Sequence, residues 1–350
     1  MTSTRFLTLT ALLGAAVPAA AQVTLNGAGA TFPNIIYQNW MLTYNQSHPD
    51  VKLNYQSIGS GGGIRQFSDG TVDFGGTDAP MTDSAITAIS GNVLHVPTVM
   101  GAVVVVYNLP GLAQAVKLTP DLVADIFLGK VTKWNDARIA SINSGVSLPA
   151  QDIVVVHRSD GSGTSYGFTD YLAKVSPEWL QKVGKGTSVN WPVGLGGRGN
   201  EGVSATVSQT PGAIGYTELA YALINKIPFA TLRNSSGNWI APSLASVTAA
   251  AAGAMKDMGP NTDFRVSITN SAGPQAYPIS TFTWLLLHKS YSDTAKARAL
   301  VQFAWWAETE GQAKAPELGY APLPKEFRPW IEARLKSIMA GGRPVWKAAE

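Results

Sequence analysis

Three loops in this chain combine glycine with a hydroxyl residue, and each lies where a strand pattern gives way to a helix pattern. The first is Gly27-Ala28-Gly29 with Thr31, the second Gly59-Ser60-Gly61-Gly62-Gly63, and the third Gly161-Ser162-Gly163-Thr164-Ser165. Such a junction exposes unpaired backbone N–H groups at the positive end of a helix. Glycine lets a ligand approach the backbone, and serine or threonine adds a hydroxyl donor. One such loop alone is a tight turn between elements. Three together predict an oxyanion site built mostly from neutral donors. Arg158, just before the third loop, offers a planar fork to a pair of oxygens, and Asp160 stands where it can orient that fork. The plainer reading of this pair is an exposed ion pair of little energetic weight. Asp78, after the Asp73-Phe74-Gly75-Gly76-Thr77 turn, reads equally well as a turn or helix-cap carboxylate.

Alternating strand-like and helix-like stretches would position these loops. Residues 23–26 read as a strand and 33–47 as a helix, with Pro33 suited to the first turn. Residues 51–56 alternate like a strand, and a short helix through Ile64 and Phe67 follows the glycine cluster. Residues 72–75 are short and apolar. Thr119-Pro120-Asp121 makes a helix start. Residues 153–156 form a β-branched run, hence a buried strand. The order returns later, with strands at 213–216 and within 277–288, and helices at 218–225 and 294–310. The alanine run at 249–252 reads as ordinary helix. Repeated β-then-α order predicts an α/β fold, sheets flanked by helices. No linker tract is evident, so two lobes joined by crossing strands are expected, with the crossings near 98–103 and 276–281.

Composition agrees with a large buried core. The chain has 350 residues, a natural length for two α/β lobes. Hydrophobic residues make up 45% and charged residues only 14%, below the roughly 25% of an average soluble domain. The net charge of +3 carries no basic stripe, so a nucleic-acid partner is not expected. Arg5, the apolar stretch 6–16 and the small residues Ala19-Ala20-Ala21 read as a signal peptide cut after Ala21, and the stretch is too brief for a comfortable membrane anchor. The complete absence of cysteine excludes a disulfide scaffold, a zinc-thiolate site, a thiol nucleophile and a lipid anchor on cysteine. Export without a tether favours a periplasm.

The segments Gly27-Ala28-Gly29-Ala30-Thr31-Phe32-Pro33, Asp73-Phe74-Gly75 through Asp78-Ala79-Pro80, and Arg158-Ser159-Asp160-Gly161-Ser162-Gly163-Thr164-Ser165 closely resemble the periplasmic phosphate-binding proteins of the Pst high-affinity phosphate transporter. Leu128-Gly129-Lys130 with Lys133-Trp134, Trp191-Pro192 with Gly194-Leu195-Gly196-Gly197, and Pro211-Gly212-Ala213-Ile214-Gly215-Tyr216 match as well, in order, over nearly the whole mature chain. The resemblance implies a type II periplasmic-binding fold, two α/β lobes joined by crossover strands that close on one dehydrated phosphate. It implies a signal peptide at 1–21, a first lobe of 22–100 with 277–350, and a second of 101–276. Thr31 and Phe32 would supply backbone N–H and hydroxyl donors, and Ser60 a further donor. Arg158, Ser162, Gly163 and Thr164 would close the site from the other lobe, and Asp78 would accept the proton still on phosphate. The family often has a second serine where this chain has Gly61, so the second loop rests on Ser60. No cofactor and no catalysis are implied. The expected partners are inorganic phosphate and the membrane permease subunits of a phosphate ABC transporter, with the binding protein itself a monomer.

Two other readings compete with this one. Gly163-Thr164-Ser165-Tyr166-Gly167 fits the Gly-x-Ser-x-Gly pattern of serine hydrolases, with His288 downstream. A nucleophile elbow turns tightly off its strand, however, and eight residues separate Val156 from Ser165, so Ser165 reads as a helix-start hydroxyl. His48, His95, His157 and His288 show no metal spacing. The tryptophans suggest sugar stacking, but Trp305 and Trp306 sit in an amphipathic helix and read as core. Sulfate or molybdate would fit the loops, and Asp78 argues against both. The glycine-rich loop 194–199 lacks a clear preceding strand and reads as structural.

Overall fold

The computed structural model describes residues 22–112, 114–260 and 262–346, excepting the Lys256 side chain, so the signal peptide expected at 1–21 lies outside the described residues. Eight strands form one large sheet: β1 (Val23–Gly29), β2 (Val51–Ser57), β3 (Phe74–Thr77), β4 (Leu94–Tyr107), β5 (Val154–Arg158), β6 (Leu195–Gly197), β7 (Ala213–Glu218) and β8 (Ser280–Leu287). Their order across the sheet is β2-β1-β3-β8-β4-β7-β5-β6. Strands β2, β1 and β3 run parallel, as do β7, β5 and β6, while β8 is antiparallel to both β3 and β4, and β4 is antiparallel to β7. Each flank is therefore a small parallel sheet with the helix crossovers such sheets require. Among the described residues no helix is long and apolar enough to cross a membrane.

The two flanks are joined by β4. Its residues 94–102 pair with β8, and from Val103 to Tyr107 it pairs with β7 instead; Ala102 faces Ser280 and Val103 faces Glu218. All fourteen residues are buried, which the Val103-Val104-Val105-Val106 run makes favourable, because β-branched side chains suit a strand covered on both faces. A single strand thus pairs with both flanks, changing partner between Ala102 and Val103.

Most of the remaining elements fall where their patterns predicted; the helix Gly199–Gln209 was not anticipated. Helix α1 (Asn34–Ser47) follows Pro33 and buries Ile36, Tyr37, Trp40, Met41 and Tyr44. Helix α2 (Ser60–Ser68) starts on the second glycine loop, and α3 (Pro120–Phe127) follows Thr119. Then come α4 (Gly163–Val175), α5 (Gly199–Gln209), α6 (Leu219–Ile224), α7 (Leu244–Ala254) and α8 (Thr294–Glu308). The third strand runs from Phe74 to Thr77, a little later than the apolar stretch suggested, because it registers against β1 at Gly27–Gly29. Trp305 and Trp306 differ from expectation: both are half-buried, and Trp306 packs edge-on against Tyr44 at the rim of the core.

Leu285 sits on β8 between Gly76 of β3 and Val96 of β4 and is 1% exposed. Leu285→Ala should cost about 2–5 kcal/mol, as truncation in a packed core does, read as a lower urea midpoint with unchanged slope. A loss below about 1 kcal/mol would show that this sheet is not packed as described.

Candidate functional site

Four strand-to-helix junctions meet, one more than the sequence suggested. β1 leads through Thr31 and Phe32 into α1, and β2 leads through Gly59 into α2. β5 leads through Asp160–Ser162 into α4, and the short edge strand β6 leads through Arg198 into α5. The first two belong to one lobe and the last two to the other. They touch directly: the Gly61 N–H donates to the Gly161 carbonyl at 2.9 Å, and the Gly163 N–H to Ser60 Oγ at 3.1 Å. The Gly199 N–H donates to Asp160 Oδ1 at 3.0 Å, and the Asn200 N–H to Thr31 Oγ1 at 3.2 Å. The closeness depends on glycine. Gly59 adopts φ +87°, where a side chain is strained, and a methyl there would overlap the Asp160 carboxylate. A methyl on Gly163 would overlap Asp78 and Ser60.

All eight sequence-predicted residues are buried around this meeting point. Thr31, Phe32, Ser60, Asp78, Arg158, Ser162 and Thr164 are each at most 3% exposed, and Gly163 is buried with them. The Phe32 ring presses against Gly101 and Tyr320, and the Phe32 carbonyl accepts from Tyr320 Oη at 2.6 Å. Ser162 caps α4, its Oγ accepting from the Ser165 N–H at 3.0 Å.

The hydroxyls share one property. A serine or threonine oxygen has two lone pairs and one proton. Ser60 Oγ accepts from the N–H groups of Asp78 and Gly163, both at 3.1 Å. Thr31 Oγ1 accepts from the Asn200 backbone N–H and, at 2.9 Å, from Asn200 Nδ2. Thr164 Oγ1 accepts from Arg158 Nη1 at 3.4 Å and from Asn200 Nδ2 at 3.2 Å. With both lone pairs engaged, each of the three hydroxyls can offer a further partner only its proton.

Two carboxylates have opposite surroundings. Asp160 grips Arg158 with both oxygens, Nε–Oδ1 at 2.8 Å and Nη2–Oδ2 at 2.6 Å, so the pair is bidentate, with the guanidinium buried and the carboxylate half-buried. Burial pushes the Asp160 carboxyl up, but the hydrogen bonds and charge of Arg158 outweigh it and hold the group below the usual carboxylate range. Asp78 has no cationic partner within ion-pair distance among the described residues. Its Oδ1 accepts from Thr283 Oγ1 at 3.1 Å. Burial pushes its carboxyl up to about 7, against the pull of Arg158 and the Thr283 and Ser60 hydrogen bonds. The cluster therefore presents many donors and one carboxyl with capacity to accept, which suits an oxyanion that still carries a proton.

The loop 194–199, expected to be structural, forms the fourth strand-to-helix junction. Its strand, Leu195–Gly197, has only three residues and lies at the sheet edge, so no strand pattern announces it. Its signal was the Gly-Gly-Arg-Gly run before a helix, the same kind of junction as the other three. Asn200, which joins the cluster through Thr31 and Thr164, carried no signal of its own. Thr283 and Tyr216, which supports the Arg158 N–H at 3.1 Å, carried no signal because each arrives from a distant strand. Ser165 Oγ contacts Tyr216 Oη at 2.6 Å, whereas His288 bonds to Asn92 and stacks on Phe67, so the hydrolase pairing is not formed.

Two lobes that share a strand and close four helix starts over a buried donor cluster define a ligand-binding protein of the periplasmic-binding kind. The profile of the PBP superfamily domain matches residues 15–308. The phosphate-binding protein PstS of Xylella fastidiosa (strain 9a5c) is 47% identical over 312 residues, spanning 89% of this chain and 84% of that one. PstS of Pasteurella multocida (strain Pm70) is 44% identical over 327 residues, spanning 93% and 94%. The crystal structure of a phosphate-binding protein from Stenotrophomonas maltophilia superposes with a TM-score of 0.69 over 89% of this chain and 93% of that one, at 19% identity, a likeness of fold. The chain belongs to the PstS family of phosphate-binding proteins within the PBP superfamily, and its fold is the type II periplasmic-binding fold.

Arg158 is 3% exposed and its charge is balanced by Asp160. Asp160→Asn leaves a buried guanidinium without its counter-charge, which should destabilise the protein by about 3–5 kcal/mol. Urea unfolding at neutral pH measures this, and a loss below about 1 kcal/mol would show that the pair does not hold the arginine in place.

Proposed function

We propose that this chain binds inorganic phosphate between its lobes in the periplasm, after loss of residues 1–21, and passes it to the membrane permease subunits of an ABC-type phosphate importer. It acts as a monomer, by binding and release without turnover. The lobes are residues 22–100 with 277–350, and 101–276. The observation that carries the reading is the contrast between three hydroxyls able only to donate and one buried carboxyl, Asp78, with no cation of its own. The names of the relatives point the same way.

In this reading Thr31, Ser60, Ser162 and Thr164 give hydroxyl protons to phosphate oxygens, and the Phe32 N–H adds a backbone donor, while the Gly163 N–H, already on Ser60 Oγ, serves the guest through that hydroxyl. Arg158 supplies the one cation, already oriented by Asp160. Each charge-assisted hydrogen bond contributes roughly 1.5–3 kcal/mol, so several suffice for tight binding of a dehydrated anion. Asp78 accepts the proton that phosphate retains and sulfate lacks. Facing an ionised Asp78, sulfate meets a like charge with no proton between, and mispairing of this buried kind discriminates by up to about 10⁴-fold. Closure over the guest is the signal a permease would read.

Calorimetry of residues 22–350, unfolded and refolded to strip any carried ligand, tests this with phosphate, sulfate and molybdate. Binding of phosphate and rejection of the other two at pH 8.5 is expected; equal binding of sulfate would overturn the reading. Asp78→Asn should admit sulfate by at least about tenfold, because the amide donates where the carboxylate repels.

The pH dependence has a definite sign. The Asp78 carboxyl lies near 7, so it carries a proton below that pH and can then donate to sulfate. Sulfate affinity should therefore rise as pH falls from about 8.5 through 7 to about 5.5, and Asp78→Asn should abolish that rise. A sulfate affinity flat across this range in the unaltered protein would contradict the role given to Asp78.

A further inference from the structure

Asn200 is fully buried at the start of α5, and its side chain is held from four directions. Its Oδ1 accepts from the Glu218 backbone N–H at 3.3 Å and from Thr217 Oγ1 at 3.2 Å. Its Nδ2 donates to Thr31 Oγ1 at 2.9 Å and to Thr164 Oγ1 at 3.2 Å. A backbone N–H can only donate, so the amide oxygen must face Glu218; turning the amide over would set donor against donor there. The NH₂ is thereby forced toward the two threonines. Thr31 follows β1 and Thr164 lies on α4, so this one amide reaches hydroxyls of both lobes. Thr31 lies in the lobe opposite Asn200, and their contact exists only while the lobes are together.

We propose that Asn200 is a positioning and selectivity residue: it fixes the hydroxyls of Thr31 and Thr164 as donors from the two sides of the cleft, and it does so only on closure. The chain of cause starts at the Glu218 N–H, which has one polarity, passes through the amide, and ends at two hydroxyls that by themselves could either give or accept. Without the amide, these hydroxyls regain a free lone pair and can turn toward one another or toward water. A guest with acceptors all around, such as phosphate, is then met by fewer aligned protons. The contact forms after the guest is captured, so it governs release more than arrival. This inference rests on the phosphate reading of the site.

The test compares the unaltered protein with Asn200→Ala, Asn200→Asp, Thr31→Val and the Asn200→Ala/Thr31→Val double variant, each titrated with inorganic phosphate by calorimetry and followed by stopped flow. Asn200→Ala should bind about tenfold more weakly through faster release, with capture little changed. Asn200→Asp keeps the size of the side chain and its bond to the Glu218 N–H, yet offers no donor and attracts both threonine protons; a loss of about 100-fold or more is expected. Adding Thr31→Val to Asn200→Ala should cost less than Thr31→Val alone, because the two act through one hydroxyl. Should Asn200→Ala fail to fold, the near-isosteric Asp variant carries the test. Binding by both Asn200 variants within about twofold of the unaltered protein, or independent losses in the double variant, would overturn the proposal. An unaltered protein that does not bind phosphate would remove the proposed function, and this inference with it; one that binds phosphate alongside unaffected Asn200 variants would remove this inference alone.

Discussion

The hydroxyls of Thr31, Ser60 and Thr164 are held with both lone pairs engaged, and the rest of the molecule arranges itself around that constraint. Some of the partners that occupy those lone pairs come from the other lobe, Gly163 for Ser60 and Asn200 for Thr31, and the rest from the same lobe, Asp78 for Ser60 and Arg158 and Asn200 for Thr164. Such an oxygen has no way to accept from a guest. Polarity is therefore decided by the protein as the lobes come together, and not by the anion. A chain with 14% charged residues and a net charge of +3 needs little charge of its own to build such a cluster.

Bringing those partners together requires the two lobes to be in register, and β4 supplies that register. It is a continuous strand that trades one neighbour for another between Ala102 and Val103, so both lobes are anchored to the same backbone within one residue. The glycines complete the approach. Gly59 and Gly163 stand where any side chain would collide with Asp160, or with Asp78 and Ser60. Close contact at these points is incompatible with a Cβ, and the small residues of the loops are thus explained by the closed geometry as much as by access for a ligand.

Much of this was legible in the sequence, for physical reasons. The first three junctions announce themselves because each joins a clear apolar strand to a clear helix through glycine and a hydroxyl. Ser165 was legible as a helix-start hydroxyl from its distance to the strand. The fourth junction was not, because β6 has only three residues and two of them are glycine. The surroundings of Asp78 were equally hidden. Its burial and its bond to Thr283 depend on a residue 205 positions away, and local patterns carry no information about that pairing. Nor could spacing alone decide whether Arg158 and Asp160 form a surface pair or a buried fork, since that depends on α5 and β7 covering them. Short-range readings thus named residues that the fold gathers into one buried cluster, while the direction of each hydrogen bond required the fold.

The central claim is that a guest in this cleft is met by donors on every side but one, where Asp78 accepts. The most direct measurement is a high-resolution crystal structure of residues 22–350 with phosphate. The account predicts one phosphate oxygen at about 2.5–2.7 Å from an Asp78 oxygen, the length of a charge-assisted O–H···O⁻ bond, and the remaining oxygens on Thr31, Ser60, Arg158, Ser162 and Thr164. Phosphate seated away from Asp78, or bound outside the cleft between the lobes, would contradict it.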